Sequence, residues 1–348
     1  MRGRDAVFDS AHHPRLSPRL YSRHTHVTCL RMSDRGGSDI SPDPAPEAAA
    51  ALDAFRSQLL LRGMDLVHSM STGSYNRALA EMASAEGPES AIASLHPLPS
   101  YGRPVRSDSD SDSGCLALIL GNSRSLWRPF LRWLRADGAR LDGLPNPLDS
   151  YVTEATELAL APLDRLGVRR EIYWAWEIAP DRLVALGRAA HLSGMAYLDG
   201  GASRLAIHPD LGTWFSLRAL VVLDLPPEPE PEVGAGVRFR GWDPVELLPE
   251  EERRLAGEAF DRALAASSAD LGELRGGTDD RGGGDDGGSK GEVWREWVAL
   301  RDVVRRGREE HRFGEDQIEY HYTKNRAALR RSVRELEGEP PAEIYDEH

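Results

Sequence analysis

The sequence predicts an α+β fold, a mixed sheet flanked by helices, on three observations. Cys115 to Gly121 reads CLALILG, a short run apolar at every position, as a strand buried on both faces requires. Glu171 to Ile178 and Arg204 to Pro226 are rich in aromatic and β-branched residues. Several other segments carry apolar residues at helical spacing, and nothing alternates strand and helix with a βαβ period.

The elements follow in order. After Pro46, the residues Leu52, Phe55, Leu59 and Leu60 share a helical face, with Gly63 placed for a C-cap. Ser107 to Ser113, SDSDSDS, has no apolar group to bury and marks a loop insertion near 102–114. The CLALILG strand follows, and then Trp127, Phe130, Leu131 and Leu134 recur at helical spacing. EIYWAWEI, 171–178, is a strand, after which Asp181 caps a helix running to about Leu198. Arg204 to Pro226 reads as a hairpin, two strands joined by a turn at Pro209 to Gly212. Pro226 to Glu232 alternates Pro and Glu, and Ala265 to Glu292 is dominated by Gly and Asp, predicting a disordered insertion. Trp294, Trp297, Leu300, Val303 and Val304 share a helical face, and a last helix spans Glu315 to Leu336. The expected layout is a disordered extension over 1–45, one domain over 46–336 and a polar tail over 337–348.

Composition limits the function classes. A formal net charge of −13 over 348 residues disfavours nonspecific attraction to nucleic acid or to an acidic membrane surface. No stretch approaches the roughly 20 apolar residues that span a bilayer; Leu217 to Leu225 is interrupted by Arg218 and Asp224. A soluble protein follows. Only Cys29 and Cys115 are present, too few for a disulfide framework or a zinc cage, which fits a reducing, cytoplasmic setting. The first 31 residues hold six Arg against two Asp, faintly in the manner of an organellar transit peptide, and Met32 is an alternative start. GGTDDRGGGDDGG is acidic and would repel phosphate rather than cradle it.

Two segments carry chemistry. HLSGMAY, His191 to Tyr197, sets small residues Ser193, Gly194 and Ala196 around a His, which admits a large flat ligand or merely another element of the fold. In IHPDLGTWFSLRA, Ile207 to Ala219, Arg218 interrupts an apolar strand; it either faces outward or needs an anionic or carbonyl partner.

In that order the two segments resemble the MMACHC (cblC-type) family through A-H-x-x-G-x-A-Y followed by I-H-P-x-x-G-x-W-F-x-x-R. The resemblance extends back through EIYWAWEI, NPLDSYV at 146–152 and CLALILG, and forward to WREWVALRD at 294–302, about 200 residues with gaps. It is weaker over GMDLVHSMSTGSYN at 63–76 and RFGEDQIEY at 312–320.

What the resemblance implies is a flavin nitroreductase-like fold that binds cobalamin with its lower base detached from cobalt and removes the upper ligand. Alkyl ligands pass to the thiolate of glutathione; cyanide leaves after reduction by a reduced flavin, FMN or FAD. Further implied partners are a cblD-type trafficking protein and a flavoprotein reductase. By position, Val184, Ala185, Leu186, Gly187, His191, Ala206 and Leu217 match cobalamin-contacting segments, as do Leu198, Asp199 and Gly200, without that segment's aromatic and amide side chains. Arg218, Arg301 and Arg326 match the glutathione-binding set, and the guanidinium fork suits its carboxylates. Ala206 stands where the family has a cysteine, Arg204 where it has a glycine and Ala175 where it has an aspartate. Reaction chemistry on the cofactor itself explains why no catalytic triad is visible. A non-catalytic cobalamin carrier and a flavin-dependent nitroreductase are the alternatives.

Overall fold

The structure, a computed structural model, describes residues 46–87, 95–102, 114–228, 242–276 and 293–336, the side chains at 86 and 269–276 excepted. The expected N-terminal extension, the SDSDSDS loop, most of the Pro/Glu run and the polar tail lie outside these residues.

The chain opens with α1 (Pro46–Leu61), β1 (Leu66–Ser71) and α2 (Thr72–Glu86), followed by the apolar strand β2 (Leu116–Asn122). Next come α3 (Trp127–Ala136), α4 (Gly138–Gly143), α5 (Pro147–Arg165) and β3 (Arg170–Trp174). A short α6 (Leu186–Leu192) leads into β4 (Tyr197–Leu198), β5 (Ala206–Ile207) and β6 (Ser216–Leu223). The rest is helical: α7 (Pro244–Leu247), α8 (Glu250–Gly276), α9 (Val293–Val303), α10 (Arg308–His311), α11 (Glu315–Thr323) and α12 (Arg326–Glu335).

The α+β class holds. The main sheet has the order β1-β2-β6-β3, and each of its pairings is antiparallel where a mixed sheet was expected. Its two central strands are covered on both faces, which is why they are largely apolar, Asn122 of β2 and Ser216 and Arg218 of β6 excepted. On β2, Leu116, Leu118 and Leu120 face one core with Phe55 and Leu59 of α1, Phe130 of α3 and Leu160 of α5. Ala117 and Ile119 face the other, with Tyr75 of α2 and Ala189 of α6. The result is a helix–sheet–helix sandwich; truncating a wholly buried side chain such as Phe130 to Ala would cost about 3–5 kcal/mol.

Several boundaries differ from expectation for physical reasons. The hairpin over Arg204 to Pro226 does not form: β5 pairs with β4, Tyr197 opposite Ile207, while β6 enters the main sheet. The turn at 209–212 closes on itself through a His208–Gly212 bridge. The strand over 171–178 stops at Trp174, where Glu177 reaches back to accept from the Trp174 N–H at 2.9 Å. The helix expected from Asp181 to Leu198 is a single tight turn at Pro180–Arg182 and then the seven residues of α6, because Tyr197 and Leu198 are taken up by β4. The last helix breaks at Lys324, whose φ of 57° is left-handed, and Asn325 caps α12 through its side chain. α8 is helical through Gly276, so the disorder expected from Ala265 fails over 265–276; residues 277–292 lie outside the described part. Leu60 is 62% exposed and not on the buried face of α1.

Candidate functional site

An open cleft lies where the two-stranded β4–β5 sheet meets the C-terminal helices. One wall is Gly187 of α6, Leu198 of β4, the connection Ser203 to Leu205 and Ala206 of β5. Thr213, Phe215 and Leu217 form its base, and Phe260, Trp297, Leu300, Arg301 and Tyr322 close it from α8, α9 and α11. Such a wall removes a large ligand from water mainly through apolar and aromatic surface, with a few polar groups left to orient it.

The turn ahead of β6 is locked to α9. Gly212 has φ 59°, and a Cβ there would fall 1.9 Å from the Arg306 carbonyl oxygen, so only glycine permits the approach. The Thr213 hydroxyl donates to the Arg301 carbonyl at 2.9 Å, and Arg301 Nε donates back to the Thr213 carbonyl at 3.0 Å. Arg301 Nη2 donates to the Thr213 and Phe215 carbonyls, and the guanidinium lies 4.4 Å from the Trp214 ring centroid. Only Nη1 of this arginine has no hydrogen bond among the described residues.

Of the ten expected cobalamin contacts, Gly187, Leu198, Ala206 and Leu217 line the cleft. The others support it or stand aside. Ala185 and Leu186 are in the sheet core with Val184 packed against it, and the Ala185 N–H donates to the Tyr75 hydroxyl at 2.7 Å. His191 accepts the Leu198 N–H on Nδ1 at 3.2 Å, which ties α6 to β4. Burial, helped by Arg188, lowers the His191 pKa to about 4, so the ring is neutral and able to accept at neutral pH. Asp199 is 3% exposed and its Oδ2 accepts from the Ser203 N–H and hydroxyl, which makes it a turn builder. Gly200 is exposed on that turn.

The three arginines part company. Arg301 is at the cleft. Arg326 donates to the carbonyls of Leu141, Leu144 and Pro145, fastening α12 to the α4–α5 connection.

Arg218 is placed by a register shift. Leu120 opposes Ala219 and Gly121 opposes Leu217, so Arg218 is the extra residue of a β-bulge. The bulge sends Leu217 to the cleft and Arg218 toward Tyr320 and Asp149. There its Nε donates to Asn122 Oδ1 at 2.6 Å, while Nη2 is buried with no partner. Arg218 does not face outward; it is buried, and the side-chain carbonyl of Asn122 satisfies its Nε but not its Nη2. Burial lowers its pKa to about 10, Asp149 opposing the shift and Arg301 adding to it; the guanidinium stays charged at neutral pH.

The sequence did not single out Phe260 or Tyr322 as cleft residues, and nothing local marks them. Trp297 and Leu300 were readable only as a buried helix face. Phe215 and Thr213 stood inside the motif WFSLR and its approach, where a residue-by-residue reading could have found them.

No protein-family model and no curated protein sequence matches this chain. Among solved structures, the chain is similar to the crystal structure of a C. elegans B12-trafficking protein CblC, a human MMACHC homologue. The TM-score is 0.50 at 17% identity, over 83% of this chain and 98% of that one, a likeness of fold.

Proposed function

We propose that this chain binds cobalamin base-off in the apolar cleft and removes its upper axial ligand in the cytoplasm. One observation carries the reading. Gly187 and Leu198, which flank the first segment that resembles the MMACHC family, and Thr213, Phe215 and Leu217 of the second line one apolar and aromatic cleft. The shared fold with a B12-trafficking protein supports it.

In this reading the residues bind, orient and exclude water. Phe215, Phe260, Trp297 and Tyr322 supply the flat apolar surface against which a corrin ring packs, and Arg301 Nη1 offers a donor at its edge. For alkylcobalamins the sulfur of glutathione attacks the carbon bound to cobalt. A carbon–sulfur bond forms, the cobalt–carbon bond breaks with its electron pair left on cobalt, and the thiol proton goes to solvent. Arg218 anchors the tripeptide through a carboxylate on its unpartnered Nη2. For cyanocobalamin, electrons come from a reduced flavin, FMN or FAD, and cyanide departs as the anion. A flavoprotein reductase and a cblD-type trafficking protein are the partners this reading expects.

A carrier without thiol chemistry is the second reading, and a specific observation favours it. Two of the three expected glutathione arginines, Arg301 and Arg326, spend most of their donors on backbone carbonyls.

Mixing the purified chain with methylcobalamin should shift the visible spectrum toward the base-off form; an unchanged spectrum at saturating protein refutes cobalamin binding. Glutathione then separates enzyme from carrier, since only the enzyme converts the bound methylcobalamin.

A further inference from the structure

The cleft is cationic as well as aromatic. Arg204 and Arg301 line it and, among the described residues, no Asp or Glu does, in a chain whose formal net charge is −13. The two cations differ in what occupies them. Arg301 is 7% exposed and spends Nε and Nη2 on the Thr213 and Phe215 carbonyls. Arg204 is half-buried, and its guanidinium stands 5.9 Å from the centroid of the Phe260 ring, which closes the cleft from α8.

The backbone shows that arginine is not there for the sake of the turn. Arg204 has φ 55°, in the left-handed region, where a side chain carries a steric cost that glycine does not. The conformation is imposed from both sides. Asp199 Oδ2 accepts from the Ser203 N–H at 3.0 Å, the Ser203 hydroxyl accepts from the Leu205 N–H at 3.3 Å, and the Leu205 carbonyl accepts from the Asp199 N–H at 2.9 Å. Glycine is the residue that such a position ordinarily takes, and it is what the resembled family has there. Strain of this kind in the wall of a cleft is offset by what the side chain does.

We propose that Arg204 is a specificity-determining residue of the cleft and holds the phosphodiester of the cobalamin nucleotide loop. The inference rests on the cobalamin reading above and concerns a position at which this chain departs from the family it resembles. The chemistry selects this group. The amide arms of a corrin ring are neutral, so a guanidinium gains little from them over water. The phosphodiester is the anion on the ligand's periphery, and parallel N–H···O bonds from the guanidinium fork match its free oxygens. The apolar and aromatic walls beside the pair lower the local dielectric and strengthen it. With the lower base off cobalt, the nucleotide loop can lie along the wall of the cleft instead of under the ring.

The test compares three ligands on the full chain by calorimetry: methylcobalamin, methylcobinamide, which lacks the nucleotide, and methylcobinamide phosphate, which has the phosphate but not the base. The unaltered chain should bind methylcobinamide phosphate roughly tenfold or more tightly than methylcobinamide. Arg204→Gly removes the charge and suits the left-handed backbone, so it should melt within about 5 °C of the parent. That variant should lose the preference for phosphate and bind methylcobalamin roughly tenfold more weakly, with methylcobinamide affinity unchanged. Arg204→Lys should recover part of the preference, since it keeps the charge without the fork. A phosphate preference that survives Arg204→Gly, none in the unaltered chain, or an equal loss of all three ligands in Arg204→Gly overturns the proposal. The two failures separate: corrinoids bound without regard to Arg204 remove the phosphate site alone, whereas an unaltered chain that binds none of the three overturns the cobalamin reading and this inference with it.

Discussion

Leu217 and Arg218 are neighbours in the chain and belong to two different chambers. Leu217 joins a cleft whose walls are apolar and aromatic, whereas Arg218 is buried on Asn122, within the field of Asp149 and Tyr320, with its Nη2 unsatisfied. The apolar walls of the cleft need only surface to cover. The pocket is incomplete, because charge and hydrogen-bonding capacity demand a particular partner. One bulged residue in β6 separates them, so a single strand turns an apolar side chain into the cleft and, at the next residue, a buried guanidinium away from it.

Filling the cleft should break the comparison most strongly. In Ala206→Trp an indole occupies space that the corrin needs, and methylcobalamin affinity should fall roughly a hundredfold, an overpacking cost of about 3 kcal/mol. S-methylglutathione binding, measured by calorimetry on the same variant, should persist. Equal loss of both ligands would mean that the two chambers are one.

Emptying the pocket should act in the opposite sense. Arg218→Ala removes one charged hydrogen bond to the thiol substrate, worth about 1.5–3 kcal/mol, and should lower kcat/KM for glutathione-dependent dealkylation roughly 10- to 150-fold. The base-off spectrum should remain. Arg218→Lys should restore only part of the rate, because an ammonium cannot form the paired fork. Since the guanidinium is buried and only partly satisfied, the alanine variant should melt within about 5 °C of the parent. A large fall in melting temperature together with weaker cobalamin binding would instead make Arg218 a determinant of the fold.

The smallest effect concerns His191, which joins the cleft wall to α6. Its folded pKa, near 4, is below the ordinary value of 6.5, so the unfolded chain binds a proton more readily. The contribution is therefore present above about pH 6.5 and is lost as pH falls toward 4. Protonation at Nδ1 would also end its acceptance of the Leu198 N–H. Thermal melts should show His191→Gln less acid-sensitive than the parent across that window; identical pH profiles would show that the ring is not held neutral.

The sequence by itself determined the elements whose signal is local. CLALILG, a short continuous apolar run, is consistent with a strand buried on both faces, and Leu116 to Gly121 of it lie in β2. The spacing of Phe130, Leu131 and Leu134 made α3 inevitable for the same reason of one-sided burial. The α+β class was legible too, and of the positions matched by resemblance Gly187, Leu198, Ala206 and Leu217 line the cleft. What only the tertiary structure decided depends on partners distant in the chain. β5 abandons β6 for β4 because sheet pairing follows available edges, not sequence proximity. Phe260 and Tyr322 reach the cleft only because α8 and α11 pack across it. Arg218 looked like one charge in an apolar strand; whether it faced solvent, a carbonyl or a ligand depended on a bulge that appears only when β2 and β6 are laid in register.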